Sequence, residues 1–358
     1  MDRSSSLWRF VRSNRKPLII AAAFVALTAG IRALGQRRLD WKRQRILVLG
    51  ASRGLGLLLA QGFVQRGASV VIAARDPEAL ADAARAIRDS TGSKAGSVLA
   101  VPCNVERRAE IENLIAEARR HLGGIDILVN VAGLIQVGPL ESMTVQDFEH
   151  AMGTHFWGPL VATLAVVDEM RARRSGRIVN ISSIGGLVAI PHLVPYVASK
   201  FALTGLTAGL RAELAKDGVL VTAVFPGLMR TGSSYRARFK GQHRLEHTWF
   251  ALGAATPLTA MNARRAARRI IAATERGEAQ VILSWQAKLL WALQALAPTC
   301  FASLLASIAR LLPAYGGIGT DSRSGAASAS ALVPSVLTRL IDRAALDFGE
   351  LGPPRLGA

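Results

Sequence analysis

Two cysteines in 358 residues, Cys103 and Cys300, are too few and too far apart for a disulfide framework or a thiolate metal site, and they fit a reducing compartment. The six histidines show no HExxH or similar ligand spacing, so no metal is expected. Acid is scarce as well: 25 Asp and Glu stand against 44 Lys and Arg, a formal net charge of +19. Such an excess often marks a partner that is nucleic acid or an anionic membrane. Arginine dominates it and is spread along the chain, and no basic patch is interleaved with aromatics as in single-strand binders, so nucleic acid is not expected. Charged residues make up only 19% while half the chain is hydrophobic, which excludes disorder for the bulk. The length allows one large core with appendages.

Long apolar runs are also lacking. Residues 17–31, between Lys16 and Arg32, fall short of the about 20 residues a bilayer crossing usually takes. Extended to Leu34, with Arg32 snorkelling, the run reads as a membrane anchor helix over 17–36 behind a basic tail, 1–16. A secretory signal and a helix packed on the main domain are the alternatives. The anchor reading makes the chain membrane-associated, a transmembrane helix holding a catalytic domain on the cytoplasmic side.

From Arg45 onward, short aliphatic runs alternate with amphipathic stretches. Segments 46–49, 69–74, 98–102, 127–130, 177–182, 219–225 and 280–283 read as strands, bounded by Gly, Pro, Asp or Asn. Segments 55–66, 78–89, 106–121, 145–173 and 197–216 read as helices. Nearly all-apolar strands alternating with helices predict an α/β fold: a doubly wound parallel sheet covered on both faces, as one domain over 43–284. Two apolar helical stretches, separated by Pro298, follow over 285–315. Trp285 and Trp291 there suit an interfacial position, and a pair of helices closing a pocket or making a dimer contact is the alternative. Residues 316–358 read as a flexible tail, loosest over 322–330, with one short helix near 337–348.

Three motifs carry the chemistry. Gly50-Ala51-Ser52-Arg53-Gly54-Leu55-Gly56 follows the first strand and opens a helix. Gly50 suits the tight turn, Gly54 close approach of backbone to phosphate, and Gly56 close helix–strand packing. The helix N-terminus then faces the pyrophosphate of a dinucleotide. Tyr196 and Lys200, four apart, share a helix face, where an ammonium would favour phenolate and make the phenol a proton donor or acceptor near neutral pH. Ser183 lies upstream. The second strand ends without an acid before Arg75, and Arg53 supplies a second cation, so NADP(H) is expected rather than NAD(H), with Asp76 as a helix N-cap.

These residues resemble the short-chain dehydrogenase/reductase family in its shorter-domain branch. The resemblance runs from Arg43 to Leu283 and rests on Gly50, Gly54 and Gly56 (G-x3-G-x-G), Asn130-Val131-Ala132-Gly133, the strand into Ser183, the Tyr196/Lys200 pair, and Pro226-Gly227 through Thr231. It implies sheet order 3-2-1-4-5-6-7 and a proton exchanged by Tyr196 with a substrate oxygen that Ser183 also binds. Lys200 would contact the nicotinamide ribose, and Thr231 the carboxamide. Asn130, Ala132 and Gly133 would border the cofactor, and Asn104 with Val105 would meet the adenine. His155 stands where the family has an asparagine in a proton relay, so it is either a relay or a brace. The segment 228–259, with Tyr235, Phe239, Trp249 and Phe250 among basic residues, would be the substrate lid, favouring a lipophilic or amphipathic ketone or alcohol. A homo-oligomer is an open expectation. The rival reading is a nucleotide-binding sensor or scaffold with little turnover.

Overall fold

The runs rich in Val, Ile, Leu and Ala pair side by side because neither of their faces carries groups that want water. In chain order the main elements of the computed structural model are β1 (Arg45–Leu49), α1 (Gly54–Val64), β2 (Ser69–Ala74), α2 (Pro77–Asp89), β3 (Val98–Pro102), α3 (Arg108–Leu122) and β4 (Ile127–Asn130). Then come α4 (Val145–Met152), α5 (Gly158–Ala172), β5 (Gly176–Ile181), α6 (Val194–Leu214), β6 (Val219–Phe225), α7 (His243–Ala255), α8 (Ala263–Arg276) and β7 (Gln280–Ile282). The chain closes with α9 (Trp285–Leu296), α10 (Pro298–Ala309) and α11 (Arg339–Asp347). The structure describes residues 39–92, 95–256 and 259–356.

The seven strands form one sheet in the order β3-β2-β1-β4-β5-β6-β7, parallel throughout. This is the doubly wound arrangement expected. Winding reverses between β1 and β4, whose register sets Leu49 beside Asn130, and Asn130 beside Asn180 of β5. A crevice at the carboxyl ends of the strands follows from that reversal. On one face α1 and α8 approach closely, since Gly62 leaves room for Ile271. On the other face α3 and α5 cover Leu47, Leu49, Val71, Leu128 and Ile178, all buried.

The stretch 145–173 is not one regular helix. Gly153–Trp157 widens into a π-turn between α4 and α5, with His155 fully buried at its centre. Glycine permits this on both sides: a Cβ at Gly153 would press on Glu106, and one at Gly158 would meet the Val105 carbonyl at 2.7 Å.

Two expectations are corrected. Among the described residues no helix is long and apolar enough to cross a membrane, since α9 and α10 have 12 residues each and Pro298 divides them. That overturns the reading of a membrane-associated chain with a transmembrane helix; residues 17–36, where the anchor was expected, lie outside the described residues. The tail is not loose either. Arg323–Ser324 pairs with Arg238–Phe239, His243 Nδ1 meets Ser328 Oγ at 2.9 Å, and the Tyr235 hydroxyl donates to Asp342 at 2.5 Å. Its Gly/Ser/Ala composition suggested flexibility, but these partners come from the lid and could not be read locally.

Candidate active site

Strand ends and helix starts converge on one crevice. After β1 the chain turns through Gly50 (φ +94°), where a Cβ would lie 2.4 Å from the Ala132 backbone. At Gly56 a Cβ would fall 2.0 Å from the Gly50 carbonyl oxygen, so only glycine lets α1 start so close to β1. Arg53 is the N-cap of α1 and its side chain caps nothing, which leaves the first turn without a capping side chain; Ser52 and Leu55 are buried beside it. This close-packed, anion-favouring cradle fits a dinucleotide pyrophosphate.

At the end of β2, Arg75 lies 3.6 Å from Glu106, and Arg53 lies 3.9 Å from Asp76. The Asp76 carboxylate accepts from Ala79 N at 3.1 Å as the cap of α2, so it is occupied at the helix start. Asn104 is similarly engaged: its Oδ1 accepts from Glu106 N at 3.1 Å. Asn130 donates to Asn180 Oδ1 at 2.7 Å, and Asn180 to Thr207 at 2.9 Å, a buried brace from β4 through β5 to α6. Gly133 gives His155 room, Pro226 O accepts from Ile184 N at 2.7 Å, Gly227 abuts Ser284, and Thr231 Oγ1 accepts from Ser233 N at 3.2 Å.

Ser183, Tyr196 and Lys200 come together. Ser183 lies two residues past the end of β5 and caps a short 3-10 turn, its Oγ accepting from Gly185 N at 3.0 Å. Gly185 is the gap through which serine and tyrosine approach: a Cβ there would lie 3.2 Å from Tyr196 Cε1 and 3.5 Å from Ser183 Oγ. Lys200 is buried, its Nζ donating to the Ile181 carbonyl at 2.9 Å and lying 5.7 Å from the centre of the tyrosine ring. Burial pushes its ammonium down to about 7. Burial also raises the Tyr196 phenol above its ordinary value, against a hydrogen bond from Ser183. The depressed phenol expected from the tyrosine–lysine spacing is therefore corrected for the protein alone. Lys200 is turned to a backbone carbonyl, and desolvation of the phenol outweighs the hydrogen bond from Ser183.

His155 has both ring nitrogens engaged. Nε2 accepts from Leu134 N at 3.1 Å, and Nδ1 lies 2.7 Å from Ser199 Oγ, whose own proton goes to the Tyr196 carbonyl at 2.8 Å. The only consistent assignment is a neutral ring protonated on Nδ1. Burial first, then the Lys200 charge, holds the imidazole well below its ordinary range, and its edge meets the Tyr196 ring at 5.4 Å.

Tyr196 also borders an apolar cluster formed by Val137, Leu193, Ala237, Phe239 and Phe250, with Ile135, Ile190 and Trp249 packed against it. Beyond Ser183, Ile184 and Val188 are covered by Ala287 of α9 and Phe301 of α10. The basic residues of the lid are largely tied to the protein itself: Lys240 to Asp147 at 2.6 Å, Arg236 to the Glu350 carbonyl at 2.8 Å and His247 to the Ser328 carbonyl at 3.1 Å. Ser199 and the C-terminal Phe348 and Glu350 were missed by sequence reasoning. Ser199 was legible inside the YVASK run; nothing local marks the other two, which reach the crevice only through the fold.

Residues 44–240 match the family described as short chain dehydrogenase. The chain belongs to the short-chain dehydrogenase/reductase family. It is an oxidoreductase of that type. It is 36% identical to the gluconate 5-dehydrogenase of Gluconobacter oxydans over 192 residues, 54% of this chain and 73% of that one. It is 32% identical to the 3-dehydrosphinganine reductase of Danio rerio over 214 residues, 58% of this chain and 64% of that one. A solved short-chain dehydrogenase from Streptomyces avermitilis superposes with a TM-score of 0.64 at 29% identity, covering 75% of this chain and 97% of the other.

Proposed function

We propose that this short-chain dehydrogenase/reductase interconverts a ketone and a secondary alcohol on a lipophilic small molecule, using NADP(H). The observation that carries the reading is the position of Tyr196, beside Ser183 and Lys200 on one side and against the apolar lid cluster on the other. When bound, the nicotinamide supplies or accepts the hydride. Tyr196 gives its phenolic proton to the substrate oxygen in reduction and takes it back in oxidation. Ser183 donates a hydrogen bond to the same oxygen and fixes its distance from the phenol. Lys200 would contact the ribose of a bound nicotinamide cofactor, and its charge beside the ring would favour phenolate. His155 braces Leu134 and Ser199 around this group and relays no proton, because both its nitrogens are engaged.

Aliphatic and aromatic walls with internally paired cations favour an uncharged, apolar substrate body over an anionic one. The relatives named for gluconate and for 3-dehydrosphinganine differ too much in polarity to choose between them. The test is consumption of NADPH with a panel of ketones of increasing chain length. Turnover should rise with apolar length; no turnover on any member, with NADPH bound, favours the sensor reading.

Cofactor preference follows from charge. Arg53 and Arg75 lie near the end of β2, which closes without an acid, and two cations there favour a 2′-phosphate. Arg53→Ala with Arg75→Asp should weaken NADPH at least about tenfold relative to NADH, since each charge-assisted hydrogen bond contributes on the order of 1.5–3 kcal/mol. Titrating both cofactors by fluorescence reads this; an unchanged ratio places the phosphate on other groups.

A further inference from the structure

The C-terminal segment after α11 lies along the cofactor crevice. The last turn of α11 seats on the loop after Thr231: a Cβ at Gly232 would fall 2.4 Å from Ala345. Gly54 N, the first N–H of α1, donates to the Phe348 carbonyl at 2.8 Å. The chain then turns at Gly349 (φ +78°) against Arg53 and buries Glu350, whose Oε1 lies 3.0 Å from where a Gly54 Cβ would stand. Arg236 Nε holds the Glu350 carbonyl at 2.8 Å, and the Arg264 guanidinium sits 5.5 Å over the Phe348 ring. Pro353 and Pro354 continue to α2, beside Asp82, Arg85 and Ala86. The path runs from the loop expected to hold the nicotinamide, across the glycine cradle, to the helix behind Arg75.

We propose that this segment, 345–354, is a strap that occupies the dinucleotide site and must withdraw before NADP(H) binds. A backbone carbonyl and a carboxylate are the groups a helix N-terminus and an arginine attract, and here they stand where phosphate oxygens would go. The Gly54 N–H has one proton and cannot serve Phe348 and a pyrophosphate together. The strap is a displaceable occupant. Burial pushes the Glu350 carboxyl up to about 7 although Arg53 and Arg236 pull the other way, so desolvation of its charge opposes docking. The inference rests on the cofactor reading above.

The experiment uses the full chain. Ala345→Arg cannot seat against Gly232 and expels the strap while leaving the glycine loop, Arg53 and Arg75 intact. A strap docked in nine molecules of ten lowers apparent affinity about tenfold, so the variant should bind NADPH about tenfold tighter than wild type in a fluorescence titration. Hydrogen exchange on the wild type needs no variant: NADPH should raise exchange over 345–356 while it protects the start of α1. Equal Kd in both proteins, or a strap that gains protection as NADPH binds, overturns the strap and leaves the cofactor reading standing. If neither protein binds NADPH or NADH, the cofactor reading itself fails and the strap with it.

Discussion

Tyr196→Phe is expected to lose at least about 10²-fold in turnover and to keep NADPH affinity within a few-fold of wild type. The ring packs on the cluster of Val137, Leu193, Ala237, Phe239 and Phe250 and meets the edge of His155, and phenylalanine keeps all of those contacts. What it loses is the hydroxyl beside Ser183, the group proposed to exchange a proton with a substrate oxygen. Lys200 is held by Ile181 and not by the tyrosine hydroxyl, so the cofactor side of the pocket stays as it was. Single-turnover hydride transfer and a fluorescence titration on the same preparation separate the two effects. Turnover within a few-fold of wild type would remove Tyr196 from the chemistry.

Lys200→Met should raise stability and abolish function together. Burial lowers the lysine from 10.5 to about 7, so at neutral pH the folded protein carries the cost of an ammonium held out of water. A shift of that size is worth on the order of a few kcal/mol, reduced by the hydrogen bond that Ile181 O loses in the variant. The sign follows from proton counting. Between about 7 and 10.5 the unfolded chain binds a proton that the folded lysine has released, so wild-type stability increases with pH across that window and is lost as pH falls through about 7. Methionine does not titrate. Thermal melts without cofactor should therefore show the variant more stable at pH 7, with its advantage shrinking as pH rises toward 10. Turnover should fall about 10²-fold, because the cation proposed to favour phenolate is gone. A variant less stable than wild type at pH 7 would mean that the buried ammonium is a net support of the fold.

Strand positions were legible in the sequence to within a residue because all-apolar runs ended by Gly, Pro or Asp have few other uses. The glycine loop was equally legible: Gly50 and Gly56 meet backbone at distances no Cβ allows, and Gly54 takes a φ of +56° that favours glycine. Tyr196 and Lys200 could be paired from spacing, as the four-residue step along α6 fixes one face, and Ser183 was named from the family resemblance.

What the spacing could not supply is the environment. Whether Lys200 depresses the phenol depends on where Nζ finds an acceptor, and that acceptor is the carbonyl of Ile181 on a different element. Whether His155 relays protons depends on a π-turn that aims it at Leu134 and Ser199, and a helical pattern over 145–173 reads the same with or without that turn. The C-terminal tail is the largest case. Its Gly, Ser and Ala composition predicts looseness, yet Asp342 finds Tyr235 and Phe348 finds Gly54, partners 107 and 294 positions away. Periodicity and motif spacing are local properties of the chain, so they determined the sheet and the glycine turn and named the candidate reactive side chains. Desolvation, hydrogen-bond partnership and the occupant of the cradle are set by what the fold brings near, and only the tertiary structure decided them.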